Sequence, residues 1–199
     1  MRPGTATRNR IRREALALFV AHGVDAVSVR DIATAAGCTP SSLYTHWPSL
    51  GALIEELFAE GYAAYGRALA EIAARPLPFP ARLEAMIRRI CALHAEDRVL
   101  FEFLLLTQHR GLHAAASTPV EPDANPIEVL HRVVATAMAE GELPQGDPAL
   151  LTAALVGVVV QAATFAHYGR IARGLDAMAD EIVALCLRLI AAEPEGARR

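Results

Sequence analysis

Apolar residues recur at helical spacing along almost the whole chain, whereas the alternation typical of strands is nearly absent. The first predicted helix carries Ile11, Ala15, Leu18 and Phe19 on one face and ends at Gly23, a residue that commonly follows a helix. Continued to the C-terminus, this pattern predicts an all-α fold of about nine helices, with no internal repeat and no low-complexity segment.

Start and stop signals delimit two short helices after Gly23. Ser28 and Asp31 have the spacing of a capping box, and Gly37 ends the helix that they open. Thr39 followed by Pro40 then has the sequence of an N-cap and a first helical position. Two short helices joined by a glycine-containing turn are typical of a helix-turn-helix unit, whose second helix enters the DNA major groove.

The helices predicted beyond this unit are longer. Ser49 caps a fourth helix whose apolar face continues to Ile72, and the proline-rich residues 75–80 follow it. Residues 111–124 hold two prolines and a run of small side chains, which predicts a long loop. The other predicted helices are one with Leu83, Ile87, Ile90 and Leu93 on a face, one over 99–108, one from Asn125 to about Glu140, one from Asp147 toward Gly169, and one opened by Asp176 with Met178, Ile182, Leu185 and Leu189 in phase.

Composition excludes a disordered chain, because 53% of the residues are hydrophobic and can form a sizeable core. The net charge of −3 does not favour a nucleic-acid partner, but its distribution does. Residues 1–50 contain six arginines and three acids (net +3), whereas residues 51–199 contain thirteen arginines and nineteen acids (net −6). This distribution indicates that only the basic N-terminal part, residues 1–50, binds a polyanion.

Other features favour a cytoplasmic protein. The three cysteines are far apart and have no metal-binding spacing, and the N-terminus lacks the pattern of a signal peptide. Residues 150–166 are apolar, but they contain polar side chains and fall short of the ~20 predominantly apolar residues of a membrane span. We therefore expect a buried helix there and no membrane partner.

The stretch VSVRDIATAAGCTPSSLYTHWPSLGALIEELF meets the physical requirements of a DNA-reading unit. Its small alanines, Ala33 and Ala36, allow two helices to cross closely. The third helix has short side chains that permit deep entry into a groove, and longer ones, Tyr44 and His46, that can reach phosphates. Over residues 5–58 the chain resembles the DNA-binding domain of the TetR (tetracycline-repressor) family. The rest of the chain resembles that family in its helical plan only.

The resemblance implies a domain division and a set of DNA contacts. Residues 1–50 would bind DNA, and residues 51–199 would bind a ligand and dimerise. Leu50 is a departure, because many members have lysine there. The implied contacts are Arg30 to phosphate; Thr39, Pro40, Ser41 and Ser42 at the groove end of the third helix; Tyr44 and His46 to the DNA backbone; Thr45 beside a base; and Arg8 and Arg10 to the minor-groove side or to phosphates.

Several residues in the second part of the chain mix aromatic bodies with sparse polar groups, as small-molecule pockets do. Ordinary core packing explains them equally well. Gln161 is the best indicator, because an amide in an apolar helix needs a partner, which could be a ligand, a second subunit or a backbone group. The candidate ligand-binding residues are Tyr62, Tyr65, Phe101, Phe103, Gln108, Met138, Gln161 and Phe165.

The predicted function is therefore that of a ligand-responsive transcriptional regulator, a repressor, and not an enzyme. It would bind a palindromic double-stranded operator as a homodimer, with recognition helices roughly 34–36 Å apart, and a small apolar or amphipathic effector would release it. The alternative is a helical-bundle metalloenzyme or lipid-binding protein with a vestigial DNA-binding domain. Its support is Glu128 and His131, which have the Glu-x-x-His spacing of di-iron bundles, but no second such motif exists and we expect no metal or cofactor.

Overall fold

The computed structural model describes the backbone of residues 3–117 and 121–191 and the side chains of residues 5–107, 121 and 123–191. Within that part of the chain there are nine α-helices, three 3₁₀ turns and no strand, so the all-α prediction is confirmed. The α-helices are α1 (Pro3–His22), α2 (Val29–Ala35), α3 (Pro40–Tyr44), α4 (Leu50–Ala73), α5 (Phe79–Glu96), α6 (Arg98–Ser117), α7 (Pro126–Ala139), α8 (Pro148–His167) and α9 (Ala179–Ala191). The 3₁₀ turns are Val24–Ala26, Pro122–Ala124 and Asp176–Met178.

The described residues fall into two compact units. The first lies within Met1–Tyr62 and Asp97–Pro119, and the second within Ala63–Glu96 and Val120–Arg199. Helix α4 therefore begins in one unit and ends in the other. The predicted functional division at residue 50 stays a prediction.

The first unit is built around α1, which packs against α2 and α6. Ile11 and Phe19 on α1 are fully buried with Ile32 of α2, so the apolar face predicted for the first helix is its core face. The ring of Phe103 on α6 stacks on Phe19 with centroids 5.8 Å apart. Helix α6 also approaches α4 closely, because a Cβ atom on Gly61 would lie 3.0 Å from Leu100 Cδ1.

In the second unit, α5 packs on α9 and α7 packs on α8. Its core includes the fully buried Phe79, Val129 and Leu175. The second half of α4 touches the 3₁₀ turn before α7 through backbone: a Cβ atom on Gly66 would lie 2.5 Å from the carbonyl carbon of Ala124. Only glycine permits this approach.

The loop prediction for residues 111–124 is wrong in its first half. Helix α6 continues to Ser117, and a 3₁₀ turn covers Pro122–Ala124. The run of three alanines at 114–116 has the strongest intrinsic helix preference, which outweighs the cost of about 1 kcal/mol for Gly111. Residues 118–120 lie outside the described part of the chain.

The prediction that residues 150–166 form a buried helix is also wrong. Helix α8 is long and apolar enough to span a membrane by length and composition, yet only 17% of its most apolar window is buried within the chain. Helix α9 differs from its prediction in a related way. Its buried face consists of Ile182, Val183 and Cys186, whereas Leu185 and Leu189 are exposed.

Candidate DNA-binding interface

Helix α2 begins at the capping box that the sequence predicts. The Ser28 hydroxyl accepts a hydrogen bond from the Asp31 amide at 3.3 Å, and the Asp31 carboxylate accepts one from the Ser28 amide at 2.8 Å. A further bond from the Ser28 hydroxyl to the same carboxylate, with the amide bond, lowers the pKa of Asp31 below its ordinary value of 3.8. Val27 and Ile32 beside the box are buried, as predicted for a hydrophobic staple.

The turn after α2 depends on Gly37, whose φ of +57° lies in the left-handed region. The amide of Cys38 then donates to the Ala33 carbonyl at 2.9 Å, which closes the end of α2. This tight reversal fixes the direction in which α3 leaves, so the position of α3 is set by the backbone of the turn.

Helix α3 is capped by Thr39, whose hydroxyl accepts from the Ser42 amide at 3.3 Å and lies 3.1 Å from the Ser42 hydroxyl. Leu43 is completely buried and Trp47 is 2% exposed, so one side of the segment is anchored in the first unit. A single turn of helix is thereby held firmly although it is too short to be stable alone.

The other side of this segment is open to solvent. Tyr44 is 55% exposed, which is unusual for a large aromatic side chain, and Ser41 and Thr45 are exposed beside it. His46 is half-buried, and its ring meets Trp47 edge-on at 5.5 Å. The predicted contacts therefore divide into outward groups and capping groups. Pro40, Ser41, Tyr44, Thr45 and Arg30 are exposed outward groups. Thr39 is exposed but its hydroxyl forms the cap, and Ser42 is partly enclosed with its hydroxyl beside that of Thr39.

Arg8 and Arg10 are engaged within the domain. Nη2 of Arg8 donates to Glu56 Oε2 at 2.6 Å, and its Cζ lies 5.2 Å from the centroid of the Trp47 ring. Nε of Arg10 donates to the carbonyl of Ala36 at the end of α2. In this state both side chains brace the helix-turn-helix unit, and a phosphate would have to compete for them.

Sequence reasoning missed Glu56, which accepts from both Arg8 and Arg12. Arg12 also donates to Glu60. A signal for this network was present, since two arginines four residues apart in α1 match two glutamates four residues apart in α4. Each pair lies on one helical face.

The candidate ligand-binding residues do not form one cluster within either unit. Tyr62, Phe101 and Phe103 belong to the first unit, where Phe103 is a core residue and Tyr62 stacks on Phe58 at 5.0 Å. Tyr65 and Met138 are buried in the second unit, but Gln161 and Phe165 lie on its exposed side. The side chain of Gln108 lies outside the described residues.

A described cavity of about 260 Å³ lies elsewhere in the first unit, between Arg12, Arg13 and Leu16 of α1 and Asp97 and Val99 near the start of α6. It contains none of the candidate ligand-binding residues. Among the side chains that the structure describes, no group of three or more His, Cys, Asp or Glu residues has the geometry of a metal site. Burial raises the pKa of the Cys91 and Cys186 thiols to about 11, which keeps them protonated and unreactive at neutral pH.

Comparison with known proteins agrees with this geometry. A sequence profile of the family described as "Bacterial regulatory proteins, tetR family" matches residues 11–57. No protein of curated function matches the sequence significantly.

Solved structures resemble the chain over nearly its full length. The fatty acid degradation regulator FadR from Bacillus halodurans superposes with a TM-score of 0.77 at 16% identity, covering 100% of this chain and 98% of that one. FadR from Bacillus subtilis, solved with stearoyl-CoA, gives 0.75 at 16% identity, covering 90% and 97%. The TetR-family regulator PfmR from Thermus thermophilus gives 0.71 at 21% identity, with the same coverage.

These likenesses show the fold, and the profile match covers the helix-turn-helix unit with the helices on either side. The chain therefore contains a segment, residues 11–57, that matches the tetR family of bacterial regulatory proteins, and it has the fold of solved regulators such as FadR and PfmR.

Proposed function

We propose that this protein is a ligand-responsive repressor that binds a palindromic operator as a homodimer and leaves it when a small apolar or amphipathic effector binds. The observation that carries the DNA-binding part is the two-sided segment after Gly37. Leu43 and Trp47 anchor it, while Ser41, Tyr44 and Thr45 face solvent. A rigid, exposed helical turn with short polar side chains is suited to base edges, and the flanking tyrosine is suited to phosphates.

The proposed dimer uses the open face of α8 and α9. Its large apolar side chains include Leu150, which is 69% exposed, together with Phe165, Leu185 and Leu189. Helix α8 contains no Asp, Glu, Lys or Arg. Near a twofold axis a residue meets its own copy, so a charge there would repel itself, and a face without charge suits a second copy. An apolar face of this size also favours burial by a protein partner over exposure to water.

The effector is proposed to be amphipathic, with a long-chain acyl-CoA as the first compound to test. A regulator of the same fold has been solved with stearoyl-CoA, and another regulates fatty acid degradation. Helix α4 starts shortly after the recognition segment, which we define as Thr39 to Trp47, and it runs into the second unit. It is therefore the element through which a bound effector would move α3. A coupling of ~1–3 kcal/mol would change DNA affinity by several-fold to more than a hundredfold.

The proposal is tested by titrating the protein with duplex DNA from upstream of its own gene at two salt concentrations. Affinity should fall steeply as salt rises, because neutralised phosphates release counterions. Tyr44→Ala and Arg30→Ala should each weaken binding by about tenfold, whereas Arg75→Ala, which removes an exposed arginine in the second unit, should not. No binding, or an affinity that does not change with salt, would contradict the proposal.

A further inference from the structure

We propose that Gln161 sets the register in which two copies of this chain pair through α8, an inference that rests on the homodimer proposed above. Beyond its first two residues, the exposed residues of α8 can be joined by steps of three or four positions, so they form one stripe along the helix. We call this the α8 stripe. It consists of Leu150, Ala153, Ala154, Gly157, Gln161 and Phe165, and Tyr168 continues it at the C-cap.

Gln161 is the polar member of the α8 stripe within the helix. The helix also contains Thr152 and Thr164, but their hydroxyls donate to the carbonyls of Pro148 and Val160 at 2.7 and 2.8 Å. Their polar groups are therefore satisfied inside α8. The Gln161 amide has no hydrogen-bond partner among the described residues, so it still has two N–H donors and one carbonyl acceptor to satisfy.

The residues around Gln161 allow a second helix to come close. Ala153, Ala154 and Gly157 precede it on the same stripe, and a Cβ atom added to Gly157 would meet nothing within 4 Å. A partner helix packed on these small residues would remove the neighbouring amide from water. A buried amide without a hydrogen bond costs about 1–3 kcal/mol, so pairings that satisfy it are favoured over pairings that do not.

The small members of the stripe, Ala153, Ala154 and Gly157, distinguish these pairings only weakly. Alanine, glycine and leucine surfaces pack almost as well when two helices slide by one turn, about 5.4 Å. A hydrogen bond between the Gln161 amide and its own copy exists in one register only. A buried polar residue fixes the register of coiled coils in the same way, at a cost in stability.

Charged side chains on and beside α9 are weaker candidates for fixing the register of the two copies. Glu181 is already paired with Arg173 at 2.6 Å, and Asp180 with Arg88 at 2.7 Å. Arg188 lies between Leu185 and Leu189 on the exposed side of α9 and is itself exposed. Arg188 therefore lies on the proposed dimer face itself, so the matched control is Arg75→Gln, which removes an exposed arginine in the turn after α4.

The test compares Gln161→Leu, Gln161→Ala and Arg75→Gln with the chain that keeps Gln161 and Arg75. Sedimentation equilibrium gives the dimer Kd. Pulsed electron paramagnetic resonance between labels at Thr136→Cys, an exposed site on α7, gives the distance between subunits. Cys38→Ser is added to all samples; Cys91 and Cys186 are buried and stay unlabelled.

The unchanged chain should give one narrow distance. Gln161→Leu should dimerise at least as tightly but give a broadened or split distribution, and its affinity for operator DNA should fall by about fivefold or more because the recognition helices no longer match the half-sites. Gln161→Ala should broaden the distribution as well, and Arg75→Gln should leave it narrow.

A narrow distribution and unchanged DNA affinity in Gln161→Leu would overturn the register role while leaving the dimer standing. A monomeric unchanged chain would instead overturn the proposed dimer, and the register role with it. The two failures are therefore distinguishable in the same set of measurements.

Discussion

Glu56 and Arg8 join α4 to α1 across 48 positions of sequence, with Glu56 Oε2 2.6 Å from Arg8 Nη2. The other carboxylate oxygen, Oε1, accepts from Arg12 at the same distance. Arg8 also lies over the ring of Trp47, which anchors the segment that contains α3. The Glu56 carboxylate therefore links α4 to α1 directly and to Trp47 through Arg8. The orientation of α3 relative to α4 therefore depends on an ion-pair network as well as on apolar packing.

Replacing Glu56 with glutamine should weaken this network. The pairs are only partly exposed, and the loss of two charge-assisted hydrogen bonds should lower the free energy of unfolding by about 1 kcal/mol. Thermal and urea denaturation measure the change. Glu55→Gln, which alters an exposed carboxylate at the preceding position, is the control and should change stability little. Equal effects of the two substitutions would show that the network contributes nothing specific.

Gly37→Ala should destabilise the helix-turn-helix unit by about 1 kcal/mol or more, because an L side chain is strained at a φ of +57°. The space around the residue is open, so strain and not a clash would be the cause. Urea denaturation measures this effect. Gly51→Ala, in the first turn of α4 with ordinary contacts, is the matched control and should be neutral or stabilising. A stabilised Gly37→Ala variant would contradict the assigned turn.

Gly66→Ala should be more costly for a different reason. The added carbon would lie 2.5 Å from the Ala124 carbonyl carbon and 2.7 Å from the Asp123 oxygen, so backbone must move. Overpacking of this kind costs about 1–3 kcal/mol. Differential scanning calorimetry should show a lowered melting temperature. An unchanged melting temperature would mean that α4 and the 3₁₀ turn before α7 do not meet as described.

The capping box of α2 should make stability depend on acid. The folded pKa of Asp31 is lowered, so its contribution is present above the ordinary value of 3.8 and is lost as pH falls through the lowered folded value. Asp31→Asn should flatten that part of the stability profile between about pH 5 and pH 2. Ser28→Ala, which removes the acceptor for the Asp31 amide, should cost about 1 kcal/mol at neutral pH. Denaturation at several pH values measures both, and an acid profile unchanged by Asp31→Asn would contradict the expectation.

Local signals were sufficient to predict most helix starts. Thr39, Asn125 and Asp147 each accept hydrogen bonds from amides in the first turn of the helix that they precede. These interactions span two or three residues, so they can be recognised in a sequence without knowledge of the fold. The exposed polar side of α3 was likewise predicted from the types of the residues within the segment itself.

Long-range partners could not be predicted in this way. A DNA contact was expected for Arg8. Its ion-pair partner, Glu56, is 48 residues away in sequence and could not be recognised without the fold. Apolar periodicity identified α8 but could not distinguish a core helix from one that is covered by another molecule, since both require apolar surface. For the same reason, the phase of Leu185 and Leu189 in α9 did not show that both are exposed.

The most direct test of the central claim is selection of bound sequences from a random duplex library with the full-length protein. We expect recovery of an inverted repeat whose half-site centres lie about one helical turn of DNA, or a multiple of it, apart. Tyr44→Ala and Arg30→Ala should lower affinity for the recovered sequence. Failure to enrich any sequence, or enrichment of a single unrepeated site by a protein that remains monomeric, would contradict it.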